Sequence, residues 1–267
     1  MTKKQFAMIS FVLVLLLLCY WGAMAVSVKR TELIVSAAAS LTDSLLDIEK
    51  LYEGSHPKIN ITFNFGSSGA LQKQIEQGAP ADVFVSAGVK QMRALVDKGY
   101  VMNNSQTELL SNDLVVVMPI DSTIKPPKAT IREFTKDAFK VIAMGIPEIV
   151  PAGQYAKEAL ESEHLYESLT PKIVQGKDVR QVLTYVETGN ADAGFVYRTD
   201  ALTSKKVQIV LTIDPNAHQA IVYPVAVIKE SKHKAEAEEF YKYLQGQEAT
   251  EIFLDYGFKS PRKLSNE

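Results

Sequence analysis

The sequence predicts an α/β layered fold divided into two lobes. Three observations carry this. Short apolar strand patterns alternate with amphipathic helix patterns along most of the chain. The alternation comes in two sets, one before residue 112 and one after residue 139. Two extended apolar segments, 114–118 and 221–228, join the sets, so the chain crosses between lobes twice. Such strand–helix alternation is the signature of helices layered on a sheet.

Each element has its own reason. Residues 32–36 read as a strand, and Leu41, Leu45, Ile48 and Leu51 follow at helical spacing. Residues 59–65 alternate as a strand. A Gly-Ser-Ser-Gly turn (66–69) then leads into a short helix with Leu71 and Ile75 on one face, stopped by Gly78. Residues 82–86 form the next strand, and Val89, Met92, Leu95 and Val96 mark a helix stopped by Gly99. Residues 114–118 are a continuous apolar strand ending at Pro119, before a Pro- and Lys-containing loop at 125–128. The second set runs as strand 140–144, helix from Gly153, strand 173–174, helix 179–187 stopped by Gly189, and strands 193–197 and 207–211. Strand 221–228 is interrupted by Pro224. Helices over 234–255, with Phe240, Leu244, Ile252 and Phe253 as the buried stripe, return to the first lobe. The division is therefore 30–112 plus 224–267 for lobe 1 and 113–223 for lobe 2. A ligand cleft is expected between them, where α/β folds place their sites.

Residues 1–25 read as an export leader. Lys3 and Lys4 precede an apolar run from Phe6 to Trp21, shorter than the roughly 20 residues of a spanning helix. Two endings compete. Ala23-Met24-Ala25 is a cleavage pattern that would release a soluble periplasmic or secreted protein. Cys19, the single cysteine, sits where bacterial lipoproteins carry their lipidated cysteine, which would anchor the chain to the cell membrane. Leu16-Leu17-Leu18 are bulkier than the usual small residue there.

Composition narrows the function. At 267 residues there is chain enough for two cores. Lys and Arg number 29 against 31 Asp and Glu, with no basic stripe, which argues against nucleic acid as a partner. One cysteine leaves no disulfide or thiolate metal site. His56, His164, His218 and His233 form no metal spacing and read as surface residues.

Five segments place neutral donors where a strand or turn runs into a helix start: 36–43, 65–71, 150–155, 176–180 and 194–197. The first N–H groups of a helix lack partners within it and lie at its positive end. Several such ends aimed at one spot make an anion site without a cationic side chain. Each segment has a plainer reading. Ser40 with Asp43 is a helix-capping pattern, Gly66–Gly69 is ordinary turn chemistry, Pro151 is helix-start punctuation, Asp178 is a helix N-cap, and Tyr197 is a core aromatic. Lys157, Lys177 and Arg180 lie near the helix starts and are expected to face solvent.

Taken together, these segments carry a resemblance. Ala-Ala-Ser-Leu-Thr (38–42), Phe-Gly-Ser-Ser-Gly-Ala-Leu (65–71), Glu-Gln-Gly-Ala-Pro-Ala-Asp-Val-Phe (76–84), Pro-Ala-Gly-Gln-Tyr-Ala-Lys-Glu-Ala-Leu (151–160), Tyr-Pro-Val-Ala-Val (223–227) and Glu-Ile-Phe…Tyr-Gly-Phe (251–258) occur in one order. The chain resembles the molybdate-binding proteins of bacterial ABC uptake systems, the ModA family, from residue 31 to residue 258. The resemblance implies a type II periplasmic-binding-protein fold whose lobes close on a tetrahedral oxyanion, molybdate or tungstate. It implies no cofactor, no metal beyond the molybdenum of the guest, and an ABC permease in the membrane as partner to a monomeric receptor. It assigns oxyanion contacts to Ser40, Ser68, Ala152, Val179 and Tyr197, with Ser67 the nearest alternative to Ser68. Gly69 and Ala70 stand where some relatives carry hydroxyls. A receptor for sulfate or another oxyanion is the alternative of the same class. A serine-dependent hydrolase is the alternative of another class, and it lacks a histidine base near Ser40 or Ser68. A regulator's effector domain shares the fold, but the leader and the lack of DNA-binding helices oppose it.

Overall fold

A computed structural model of the chain describes residues 30–126 and 130–261. The leader, Cys19 and part of the 125–128 loop lie outside the described residues. Among the described residues no helix is long and apolar enough to cross a membrane.

The chain builds two five-stranded mixed sheets. In the first, strand β1 (Thr31–Ala38) pairs in parallel with β2 (Ile59–Gly66) and β3 (Val83–Val85). Strand β10 (Val222–Ile228) lies antiparallel between β3 and β4 (Val101–Ser111). In the second, β6 (Ile142–Gly145) pairs in parallel with β7 (Ile173–Gly176) and β8 (Ala193–Tyr197). Strand β5 (Leu114–Pro119) lies antiparallel between β8 and β9 (Val207–Thr212). Each sheet thus has four strands running one way and one reversed strand, β10 or β5, that enters at a crossing between the lobes. Asn112 and Asp113 make the first crossing, and β10 completes the second.

Burial explains the composition of these strands. β8 and β3 lie at the centres of their sheets and are buried at every position, as strands covered on both faces must be. Helix α1 (Thr42–Ser55) buries Leu45, Ile48 and Tyr52 at helical spacing, and α6 (Val179–Glu187) buries Val179, Val182, Leu183 and Val186. Helices α8 (Lys234–Leu244) and α9 (Gln247–Asp255) bury Phe240, Leu244 and Phe253. Gly78, Gly99 and Gly189 end their helices with φ of 86°, 74° and 70°, a conformation that side-chained residues avoid.

Several expectations need correction. Strand β4, eleven residues long, is absent from the sequence reading: its four exposed residues, Asn103, Asn104, Gln106 and Glu108, are polar and fall at uneven spacing, which hides any apolar alternation. Leu51, Val89 and Val96 are exposed rather than buried, and Tyr52 takes the inward place expected of Leu51. Ile252 is half-buried. Pro224 does not interrupt β10. A register shift against β4 between Tyr223 and Pro224 lets the strand run through, as bulges do for proline. Two histidines are not plain surface residues. His56 stacks on Tyr52 at 4.0 Å between ring centroids. His218 is half-buried, with Nδ1 at 2.7 Å from the Gln219 carbonyl and Nε2 buried without a protein partner.

Candidate functional site

The five residues singled out from sequence line one cavity between the lobes. Ser40 and Ser68 come from the first lobe, and Ala152, Val179 and Tyr197 from the second. All five are at most 4 % exposed. The cavity leaves about 10 Å³ for the centre of a water-sized guest, close to the least that holds one small species. Among the described residues, no Lys, Arg or His lines it. Two larger hollows, of about 510 and 370 Å³, lie on the outer surface, and Asp43, Asp47 and Asp255 line them, with Lys50 already paired to Asp47 at 2.8 Å. Their carboxylates repel an anion.

Local structure sets the donors. Ser40 sits in a 3₁₀ turn (Ala39–Leu41) between β1 and α1. It does not cap α1, whose N-cap is Leu41 with no side-chain bond. Its Oγ lies 3.0 Å from the Tyr223 hydroxyl. Ser68 opens helix α2 (Ser68–Glu76) and its Oγ accepts the Ala87 N–H at 2.9 Å. Its proton is left for another acceptor. Ser67, the N-cap of α2, also lines the cavity, and its buried Oγ has no protein partner. Both serines of the turn therefore face the same space.

Helix α4 (Pro151–Ser162) starts at the cavity with proline in its first turn, where the missing N–H costs nothing. The N–H of Ala152 is among those without an intrahelical partner. Helix α6 starts there too. Asp178 lines the cavity, but its carboxylate accepts the Gln181 N–H at 2.8 Å. It is an N-cap, which ties its charge to the helix rather than to a guest. Tyr197 ends β8, and its hydroxyl donates to the Ala87 carbonyl at 3.3 Å across the lobes. Burial, first of all, holds the Tyr197 and Tyr223 phenols well above their ordinary pKa, so both stay protonated donors. Ala87, which sequence reasoning missed, joins Ser68 to Tyr197 through its N–H and its C=O. Nothing in an Ala-Gly dipeptide signals that.

Contact between the lobes is close at two further points. The Gly69 N–H donates to the Ile149 carbonyl at 2.9 Å. A Cβ at Gly69 would stand 2.6 Å from Ile149 Cα and 2.7 Å from its oxygen. A side chain at residue 69 would not fit this approach. Arg180 corrects another expectation: it does not face solvent freely. Its Nη2 meets Asp43 Oδ2 at 2.6 Å in the other lobe, and its Nε lies 2.8 Å from Asp200 Oδ1. Asp200 is fully buried, and that burial outweighs the guanidinium beside it and pushes its carboxyl up to about 6. Lys177 is exposed, and Lys157 lies over the Tyr166 ring at 5.1 Å.

Comparison with known proteins places this arrangement. Residues 33–259 match the family described as bacterial extracellular solute-binding protein. YvgL of Bacillus subtilis, provisionally named an ABC transporter substrate-binding lipoprotein, is 51 % identical over 233 residues, covering 87 % of this chain and 88 % of that one. The molybdate-binding protein ModA of Haemophilus influenzae is 39 % identical over 239 residues, covering 88 % and 92 %. Among solved structures, the periplasmic molybdate-binding protein of Azotobacter vinelandii superposes with a TM-score of 0.77 at 25 % identity, covering 86 % of this chain and all of that one. Two mixed sheets joined by two crossings, closed on a cavity of neutral donors, are thus the two-lobed type II binding-protein fold, and the chain belongs to the ModA family of bacterial extracellular solute-binding proteins.

Proposed function

We infer that this chain is the extracytoplasmic receptor of an ABC importer, which binds molybdate, and tungstate with it, between its lobes and delivers it to a membrane permease. One observation carries the reading: hydroxyls and helix starts from both lobes converge on one small cavity that no cationic side chain lines. A fully ionised tetrahedral oxyanion offers only acceptors, and this host offers donors. Each hydrogen bond to a charged guest contributes about 1.5–3 kcal/mol, less the cost of desolvating the anion and ordering the lobes. Ser40 and Ser68 supply hydroxyls, Ala152 and Val179 supply backbone N–H groups, and the Tyr197 hydroxyl joins them by turning its proton from the Ala87 carbonyl to the guest.

An enzymatic role has less support. The Ser40 hydroxyl meets a phenol and the Ser68 hydroxyl meets a backbone N–H. Neither partner is a base able to activate a nucleophile. Cys19 is assigned as a lipid attachment point, in keeping with the lipoprotein naming of the Bacillus relative. The Cys19→Ser protein should leave the membrane fraction for the medium. Retention in the membrane would refute the anchor.

Calorimetry against molybdate, tungstate, sulfate and phosphate tests the main reading. Molybdate and tungstate should bind alike and sulfate far more weakly, because rigid helix starts cannot contract onto a smaller anion. Sulfate binding as tight as molybdate would make this a general oxyanion receptor.

A further inference from the structure

The cavity-lining hydroxyl of Ser40 is the end of a hydrogen-bonded chain that runs through both crossings between the lobes. Its far end is Asn112, in the first crossing. The Asn112 Oδ1 accepts the Asp113 N–H at 2.9 Å. That fixes the amide: turned over, its NH₂ would face another donor. The Nδ2 group therefore points the other way. It donates to Thr199 Oγ1 at 2.9 Å and to the Tyr223 hydroxyl at 3.2 Å. Tyr223 lies in β10, the second crossing, and is fully buried.

The direction of the next bond follows. The Tyr223 oxygen receives Asn112, and its own proton needs an acceptor, because an unmatched buried donor is costly. Ser40 Oγ, at 3.0 Å, is the other hydroxyl partner of that group. Tyr223 donates and Ser40 accepts. The Ser40 proton and one lone pair are then left, and of these only the proton matches the oxygens of an anion, on a side chain that lines the cavity. We propose that Asn112 and Tyr223 are positioning residues that fix Ser40 as a donor toward the bound anion, and so select guests whose oxygens are all unprotonated. The proposal rests on the oxyanion reading above. Without the relay the Ser40 hydroxyl rotates, presents its lone pairs to the cavity part of the time, and holds the anion less well.

A merely structural role for these groups, keeping the crossings satisfied, predicts a change in folding stability without coupling to Ser40. A double-mutant cycle separates the two. Molybdate affinity would be measured by calorimetry for the unmodified protein, Tyr223→Phe, Ser40→Ala and the double variant, with thermal melts alongside. Tyr223→Phe keeps the ring that packs edge-on against Phe258 at 5.4 Å. It should weaken molybdate binding on the order of tenfold when Ser40 is present and less than about twofold when residue 40 is alanine. An unchanged affinity, or the same loss in both backgrounds, would overturn the proposal. Should Tyr223→Phe not fold, Asn112→Ala runs the same cycle. It should weaken binding in the same direction through Ser40, and uncoupled behaviour there overturns the proposal as well. An unmodified protein that binds no tetrahedral oxyanion would remove the parent reading and this one together, a result the cycle cannot be confused with.

Discussion

Ser68 is fully buried with its oxygen already receiving the Ala87 N–H, so its proton is what it offers a guest. Ser68→Ala should weaken molybdate binding by about tenfold or more, the effect of one bond to a charged ligand. The protein should still fold, with a lower melting temperature, because the Ala87 N–H loses its acceptor. A molybdate isotherm equal to that of the unmodified protein would refute the assignment. Asp200 gives a second prediction at this scale. Its carboxyl is raised from 3.8 to about 6 in the folded state by burial. A raised acid binds its proton more tightly when folded. Its contribution to stability is therefore full below about pH 4 and is lost as pH rises through about 6. Denaturant unfolding of the protein and of Asp200→Asn should show the unmodified protein losing ground to the variant, by on the order of 1–3 kcal/mol, between pH 4 and pH 7. A difference that stays flat over that range would contradict the raised carboxyl. Sequence alone marked Ser68 through its motif. It gave no sign of Asp200, since an aspartate in Arg-Thr-Asp reads as a surface residue until the fold buries it.

At the scale of elements, helix starts make the site and glycine lets them approach. α2 reaches the loop before α4 so closely that Gly69 touches the backbone of Ile149. The contact joins the two lobes, so the collision of an added Cβ arises on closure. Gly69→Ala should melt as the unmodified protein does in the absence of ligand, yet bind molybdate at least about tenfold more weakly, since a steric conflict of this size costs on the order of 1–3 kcal/mol. Calorimetry beside a ligand-free melt checks this, and undiminished binding would show that closure needs no such contact. The helices were legible in sequence because apolar spacing and stop glycines mark them independently of their neighbours. Strand β4 was not, because the polar residues Asn103, Asn104, Gln106 and Glu108 break up the spacing of its buried residues.

For the whole molecule, the closed arrangement is held by contacts across the lobes: Arg180 to Asp43, Tyr197 to Ala87, and Gly69 to Ile149. A ligand that touches both lobes shifts the population toward that closed form. The Arg180–Asp43 pair is partly exposed, at 26 % and 39 % of its side-chain surfaces, so it contributes at most about 1 kcal/mol. Asp43→Asn should weaken molybdate binding about two- to fivefold, and added salt should reduce the difference. Titration at low and high ionic strength reads both. An Asp43→Asn affinity equal to that of the unmodified protein at low salt would remove the pair from closure. Molybdate at a hundred times its Kd should also raise the unfolding free energy by about 2.7 kcal/mol, visible as a higher Tm.

Sequence by itself determined the alternation of strands and helices, the two crossings and the five segments that carry the site, because each is written in local spacing and turn chemistry. Tertiary structure alone decided which groups meet there. It turned Ser40 from a cap into the end of a relay, joined both serines of the turn to one cavity, and tied Arg180 to the opposite lobe. Those outcomes depend on residues as far apart as Ser40 and Tyr223, 183 positions along the chain. Hydrogen-bond partners at that separation are chosen by packing, which no local pattern encodes.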